Sequence, residues 1–525
     1  MKKAKKIGIV ILVVLLAASW PAGTFVGGKL RDKREDKILN GNAGTGKTVY
    51  DRHLTYQTMD GFGASACWWA QDVGGWENAA EILSYLYDSE KGIGLNVYRY
   101  NLGAGSQGDE ELYIPEHRTE CFLQADGTLD FAADANAQAC LKTAKELAGD
   151  SLRVELFANS APVSLTKNGR AYRRANDLGL SNLDVGNYDA YADYLYACAE
   201  HFTDAGYRVT AVSPVNEPQY DWKGWTNADG TMSMNQEGCH FDENEMPALA
   251  RVLVGRFAGS ALDKQGVKVS LFESGEINGW GIFTKYNDPL LGKSEYVVNN
   301  NTDLRKYFDT LSVHSYWANA NARRNGADYL KRRYKGVDVI CTEYCQMTND
   351  WNTGVHDLIE QEGGSTNGMG IAYGVAMANI ILDDLTILGA KEWDWWTACS
   401  YGVYPDGLVY INKEDHNKIE TAKRLWCLGN FSKFVREGAV RFAADSGVDG
   451  VRCVGFENKG KYEKSLVFVY VNASDTAQTT ALKCAKGYAV YTTDETRDLA
   501  QTAEGGAGDV TVDLPAQSVV TVVVG

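Results

Sequence analysis

The sequence is short of metal-binding signals. Its eleven cysteines include no Cys-x-x-Cys pair and its seven histidines do not cluster, which argues against zinc and calls for no metal or cofactor. It is also short of positive charge. Lys and Arg number 52 against 68 Asp and Glu, and a net charge of −16 argues against nucleic acid and against steering of polyanions. No internal repeat and no low-complexity segment is present. The cysteine count is odd, so at least one thiol is free or paired between molecules. Cys67, Cys341, Cys399 and Cys453 lie inside apolar strands, where cysteine serves as a small core residue, and most of the eleven read as free thiols.

What is present begins with an export pattern. Met1 to Lys6 carries four lysines, and residues 7–28 then run without a charge. No cysteine follows the apolar run, which argues against a lipoprotein anchor, and no clean Ala-x-Ala site follows it either. Residues 1–28 therefore read as a signal peptide or as an N-terminal membrane anchor, and the body of the protein is expected outside the cytoplasm. Residues 29–47 read as a charged, solvated linker. Gly41 to Thr48 matches the P-loop pattern letter for letter, but that loop needs an apolar strand before it and a helix after it. Here the preceding segment is charged and the following one looks extended, so nucleotide binding through Lys47 is not expected.

From Asp60 onward, eight apolar segments alternate with helical patterns. The strands are expected at 61–68, 96–102, 152–159, 208–215, 267–273, 310–316, 337–343 and 391–397. Helices are expected at 78–86, 135–147, 188–202, 328–334, 374–388 and 422–435. The alternation predicts an α/β fold, a (β/α)8 TIM barrel over 60–430. After it come six short strands separated by Gly, Asn and Asp, an antiparallel β-sandwich pattern over 431–525. Residues 48–59 are expected to join that sandwich, and the chain to be a monomer.

In such a barrel the chemistry sits at the C-terminal ends of the strands. Glu217 follows strand four, in Val215-Asn216-Glu217-Pro218, and Glu343 closes strand seven, in Thr342-Glu343-Tyr344. Two carboxyls across one opening suit glycoside hydrolysis, one as proton donor and one as nucleophile. Glu155, Glu273 and Glu276 are rivals. Glu155 is expected to be paired internally, and the other two to be nearer substrate contact than catalysis.

Several motifs together resemble glycoside hydrolase family 30, of the clan A retaining glycosidases. They are Asp60-Gly-Phe-Gly-Ala-Ser, Tyr98-Arg99-Tyr-Asn-Leu-Gly, Val215-Asn-Glu-Pro, Val313-His-Ser-Tyr, Thr342-Glu-Tyr and Leu428-Gly-Asn-Phe-Ser-Lys-Phe. The resemblance implies a barrel with a side β-sandwich that takes a strand from the N-terminal region. It implies Glu217 as acid/base, Glu343 as nucleophile, and Asn216 on the 2-hydroxyl of the sugar at the cleavage site. Arg99 is implied to orient the nucleophile and lower its pKa, His314 and Tyr316 to flank it, and Trp395 to stack on the sugar. Val163 and Ser164 stand where many relatives carry bulky aromatics. Trp68-Trp69 and Gln236 to Phe241 look most like the endo-β-1,6-galactanase branch, with Trp68 and Trp69 as substrate contacts. The expected partner is thus a plant polysaccharide or oligosaccharide. Other activities of the family (β-1,6-glucanase, xylanase, exo-β-glycosidase) and a carbohydrate-binding protein on an inactive barrel are the alternatives.

Overall fold

A computed structural model describes residues 31–174, 181–242, 245–270, 272–273, 275–277, 304, 307, 310–333, 336–460 and 464–525. Residues 1–28, expected as a signal peptide or a membrane anchor, lie outside them.

All eight expected barrel strands form, as Gly61–Ser65, Val97–Asn101, Arg153–Phe157, Val209–Ser213, Lys268–Val269, Thr310–His314, Asp338–Glu343 and Glu392–Trp395. They build one eight-stranded sheet in the order five, four, three, two, one, eight, seven, six. Every neighbouring pair is parallel, and strand eight joins strand one through Glu392 opposite Gly61. Helices cover the outside, among them Ala79–Tyr87, Ala135–Ala148, Tyr188–Asp204 and Ile371–Asp383. Burial on both faces explains why these strands read as near-continuous apolar runs. Most strands stop short of their expected ends, because the residues at the C-terminal lip leave the ladder to enter the site. The helix expected at 328–334 is instead Ala320–Arg333. Its inward residue is Arg323, fully buried, with Nε on Asp384 Oδ1 at 2.6 Å, so no apolar stripe marks its first half.

The remaining chain forms a seven-stranded antiparallel sheet and a two-stranded one, Gln478–Cys484 with Gly508–Leu514. Phe442, Phe468, Leu482 and Val520 pack between them. Val49–Thr58 is the outermost strand of the larger sheet and pairs with Val440–Asp445. The segment expected as a linker differs. Residues 31–39 are helical and rest on that outer strand, with Tyr56 Oη donating to Glu35 Oε1 at 2.7 Å and Arg34 paired to Asp51. The P-loop look-alike makes no phosphate cradle. The amide of Gly46 donates to Gly447 O and that of Thr48 to Ala481 O, and a strand follows where a P-loop needs a helix.

None of the eleven cysteines is in a disulfide, and all but Cys453 are buried. Helix Lys423–Ser432 joins the two parts. Asn430, fully buried on it, accepts from Thr493 Oγ1 at 2.6 Å and donates to Thr521 Oγ1 at 3.0 Å, both on sandwich strands. Arg452 Nη2 reaches back to Asp383 at 2.6 Å. Deleting residues 451–525 removes these partners and bares the edge of Val440–Asp445. The truncated chain is expected in the insoluble fraction on expression; a soluble, active barrel would mean a detachable module.

Candidate active site

The end of strand four turns sharply. Pro214 and Pro218 flank Val215-Asn216-Glu217, and Glu217 adopts φ 44°, left-handed backbone that costs a non-glycine residue roughly 1–3 kcal/mol. The turn is held because the Glu217 amide donates to Glu273 O at 3.1 Å. Gly275 makes room for the carboxyl, since a Cβ there would meet Gln219 Nε2 at 2.1 Å and Glu217 Oε1 at 2.9 Å. Glu343 needs no such turn, being the last residue of its strand.

Six of the expected residues come together. Glu217, His314 and Glu343 each place one donor atom within 4.8 Å of the other two. His314 Nδ1 lies 2.8 Å from Glu217 Oε1, and Nε2 lies 3.0 Å from Glu273 Oε2. Tyr316 Oη donates to Glu343 Oε1 at 2.9 Å. Asn216 Nδ2 donates to Asn159 Oδ1 at 3.2 Å, while Asn216 Oδ1 is buried with no partner in the described structure. Arg99 is fully buried against the Phe157 ring and differs from expectation. Its short bond, 2.6 Å, goes to Glu273, and it reaches Glu343 only at 3.5 Å.

Glu273 is the residue whose role the sequence reading missed. It takes Arg99, His314 and, at 2.7 Å, Thr342 Oγ1, so it anchors the cations rather than facing substrate. Burial would raise its pKa, yet Arg99 and His314 hold it far below the carboxylate range. Burial would lower His314, but Glu343, Glu217 and Glu273 lift it to about 10, so it is an imidazolium at neutral pH. Both its nitrogens then donate, one to Glu217 and one to Glu273.

Two cations thus face three carboxyls, and Glu273 is held ionised between them. Burial, with Glu217 adding to the rise, lifts Glu343 to about 7 against the pull of His314 and Arg99. The net rise corrects the expectation that Arg99 keeps this carboxyl low.

The tryptophans separate by strand parity. Glu392 and Asp394 point into the barrel beside Glu155, so Trp393 and Trp395 point outward and are fully buried under helices. Trp395 therefore has no face for a sugar. Its neighbour Trp396 is half-buried on the inner side, edge-on to Trp68 at 5.3 Å. Trp68 stacks on His117 at 3.8 Å, and its Nε1 has no partner. Trp69 is core, its Nε1 bonded to Ser65 O, and is not a substrate contact. In the 236–241 stretch, Glu237 is buried and accepts from Ser106 and Thr119, which ties the strand-two loop to the strand-four loop. Below the site, burial and mutual repulsion push Glu155 and Asp394 well up, while Arg153 holds Glu392 at 2.8 Å. Both oxygens of Asp394 are without a partner, and the cluster reads as a barrel floor of mostly neutral acids.

A barrel whose strands four and seven present two carboxyls to each other is the frame of a glycoside hydrolase. The chain belongs to glycoside hydrolase family 30, since the family model described as O-Glycosyl hydrolase family 30 matches residues 46–410. It is 25% identical over 417 residues to an endo-beta-1,6-galactanase of Hypocrea rufa, covering 74% of each chain. It is 26% identical over 272 residues to an exo-beta-1,6-galactobiohydrolase of Bifidobacterium longum subsp. longum, covering 41% of this chain and 18% of that one. Among solved structures, a conserved exported protein from Bacteroides fragilis superposes with a TM-score of 0.74 at 25% identity, over 91% of this chain and 100% of that one.

The raised carboxyl gives a pH dependence. A reaction that needs Glu343 ionised is lost as pH falls through about 7. kcat/KM on a β-glycoside is expected to show that acid limb. In Glu217→Gln, an aryl glycoside with a good leaving group is expected to show the limb at lower pH, because the facing carboxylate no longer raises Glu343.

Proposed function

We propose that this family 30 hydrolase is a retaining β-glycosidase in which Glu343 is the nucleophile and Glu217 the acid/base. The observation that carries the reading is the approach of the two carboxyls, with oxygens within 4.8 Å of one another. Retaining enzymes hold the two carboxyl groups roughly 5–5.5 Å apart, whereas inverting ones leave space for a water. In the first step Glu217 gives its proton to the glycosidic oxygen as Glu343 attacks the anomeric carbon, forming a glycosyl ester and releasing the leaving sugar. In the second, Glu217 takes a proton from water as that water displaces Glu343, and configuration is retained. His314 stabilises the Glu217 carboxylate between the steps, and Tyr316 aims the Glu343 oxygen. Arg99 acts on Glu343 at longer range, locked by Glu273. Asn216 offers its free Oδ1 to a sugar hydroxyl, and Trp396 supplies the stacking face first assigned to Trp395.

The substrate we assign is the β-1,6-galactan side chain of plant arabinogalactan, cut internally. Support comes from the galactan-cleaving names of the two curated relatives and from the aromatic lip. Trp69, Trp393 and Trp395 take no part in that lip, because they are core. Trp225 and Trp351 are exposed, and Trp222, Trp317 and Trp396 are half-buried. Val163 and Ser164 leave one wall without a bulky ring. Action outside the cytoplasm fits the lysine-rich start and the uncharged run at 7–28.

Glu343→Ala is expected to lose about four orders of magnitude in kcat or more while keeping its fold. Added azide is expected to restore part of the activity and yield an α-glycosyl azide; unchanged activity sinks the assignment. Proton NMR on the wild type is expected to show the β-anomer first. Against de-arabinosylated arabinogalactan, xylan and β-1,6-glucan side by side, the galactan is expected to be cut fastest, into short oligosaccharides. Preference for another polymer refutes the galactan, and release of galactose alone refutes internal cutting.

A further inference from the structure

Most of the large apolar side chains are buried, and the aromatics left exposed among the described residues fall in a pattern. The exposed aromatics are Tyr113, Trp225 and Trp351. Each stands on a loop at the C-terminal end of the barrel, after strands two, four and seven. Two of them meet: Tyr113 and Trp225 lie edge to face at 5.8 Å while 53% and 45% exposed. A lone exposed aromatic needs no explanation, but two held together against solvent do.

This pair is rigidly built. Trp225 lies in a two-stranded hairpin, opposite Ser233, and its Nε1 donates to Asn227 Oδ1 at 3.1 Å, which fixes the ring plane. Asn227 Nδ2 in turn donates to Thr231 Oγ1 at 2.9 Å and Ser233 Oγ at 2.8 Å. Tyr113 is locked to the same hairpin, its amide donating to Met234 O at 3.1 Å and Met234 N to Glu111 O at 2.8 Å. Underneath, Leu112, Tyr172 and Met234 form a small separate core on which Trp222 packs. Trp222 Nε1 donates to the carbonyl of Glu217 itself at 2.8 Å. Platform and acid/base residue thus belong to one rigid unit.

We propose that Tyr113 and Trp225 form a distal subsite that stacks on a neutral sugar of the leaving-group side of the polymer, beyond the first unit. The inference rests on the assignment of Glu217 as acid. An acid that protonates the leaving oxygen lies on the leaving-group side, and the hairpin that carries Trp225 springs from that residue. Trp225 stands three residues past Trp222, a step of at most about 10 Å, so the platform lies out along the loop from the Glu217 turn. An aromatic face carries negative charge density and suits the polarised C–H face of a β-hexose. Of the nearby acids, Asp109 and Glu111 are paired to Arg170 and Asp221 to Arg173 and Lys223, so the rim carries both signs of charge and suits a neutral chain. A preformed platform orders little on binding, so its contribution is not lost to entropy.

The test is the ratio of kcat/KM on de-arabinosylated galactan to kcat/KM on an aryl β-galactoside, whose leaving group is too short to reach the pair. Trp225→Ala is expected to lower the ratio about tenfold, mainly through KM, and Tyr113→Ala to lower it less. Trp225→Phe keeps a ring and is expected to restore most of the loss, and thermal melts of each variant check that the hairpin change has not unfolded the protein. An unaltered ratio in Trp225→Ala overturns the subsite, as does an equal loss on both substrates. If the wild type cuts a different β-linked polymer, the galactan assignment falls, and the same ratio on that polymer and its own aryl glycoside decides the platform. If Glu217→Gln leaves turnover intact, the assignment of sides falls with the acid.

Discussion

The active end of the barrel depends on one buried constraint: two cations must balance three carboxyls out of reach of water. Arg99 and His314 come from strands two and six, and Glu273 from the end of strand five. Together they fix loops that share no backbone ladder. Such a cluster is costly to desolvate and is held only because each charge finds a short, well-aligned partner. Removing any one would leave another buried and unpaired. Glu273, not either reacting carboxyl, is the member that makes the most of these bonds.

This arrangement separates tasks that a sequence motif runs together. Arg99 was expected to tune Glu343 directly, but its short bond is to Glu273. Glu343 is held instead by Tyr316 and faces His314, 3.6 Å away. Burial pushes the Glu343 pKa up and the fixed cations limit the rise, so the balance is set by the fold rather than by solvent.

The barrel and its two key carboxyls were legible in the sequence because strand, turn and proline signals coincide there. The strand-eight tryptophan was legible in principle. Glu392 and Asp394 alternate with Trp393 and Trp395, and reading the period of two past Asp394 selects Trp396 as the inward ring. Trp69 gave no such signal, since strand one ends at Ser65 and parity is lost in the turn after it. The helix Ala320–Arg333 was half hidden because its inward anchor is an arginine. The helix at 31–39 was hidden because its charges, which read as a solvated linker, are paired to the outer sandwich strand. Glu273 was undervalued for a different reason. Its partners lie 41 to 174 residues away along the chain, and no local spacing reveals them.

The outermost sandwich strand carries a consequence in time. Val49 faces Asp445, so the first strand of the described fold is made long before the strand it pairs with. At about 5–20 residues per second, a ribosome takes about 20–80 s to close that gap. During this interval the whole barrel can emerge while the lone strand Val49–Thr58 presents an unpaired ladder, the kind of edge on which chains join one another. The barrel is thus bracketed by two parts of one sheet, and the first strand made must wait for its partner until the barrel has been synthesised.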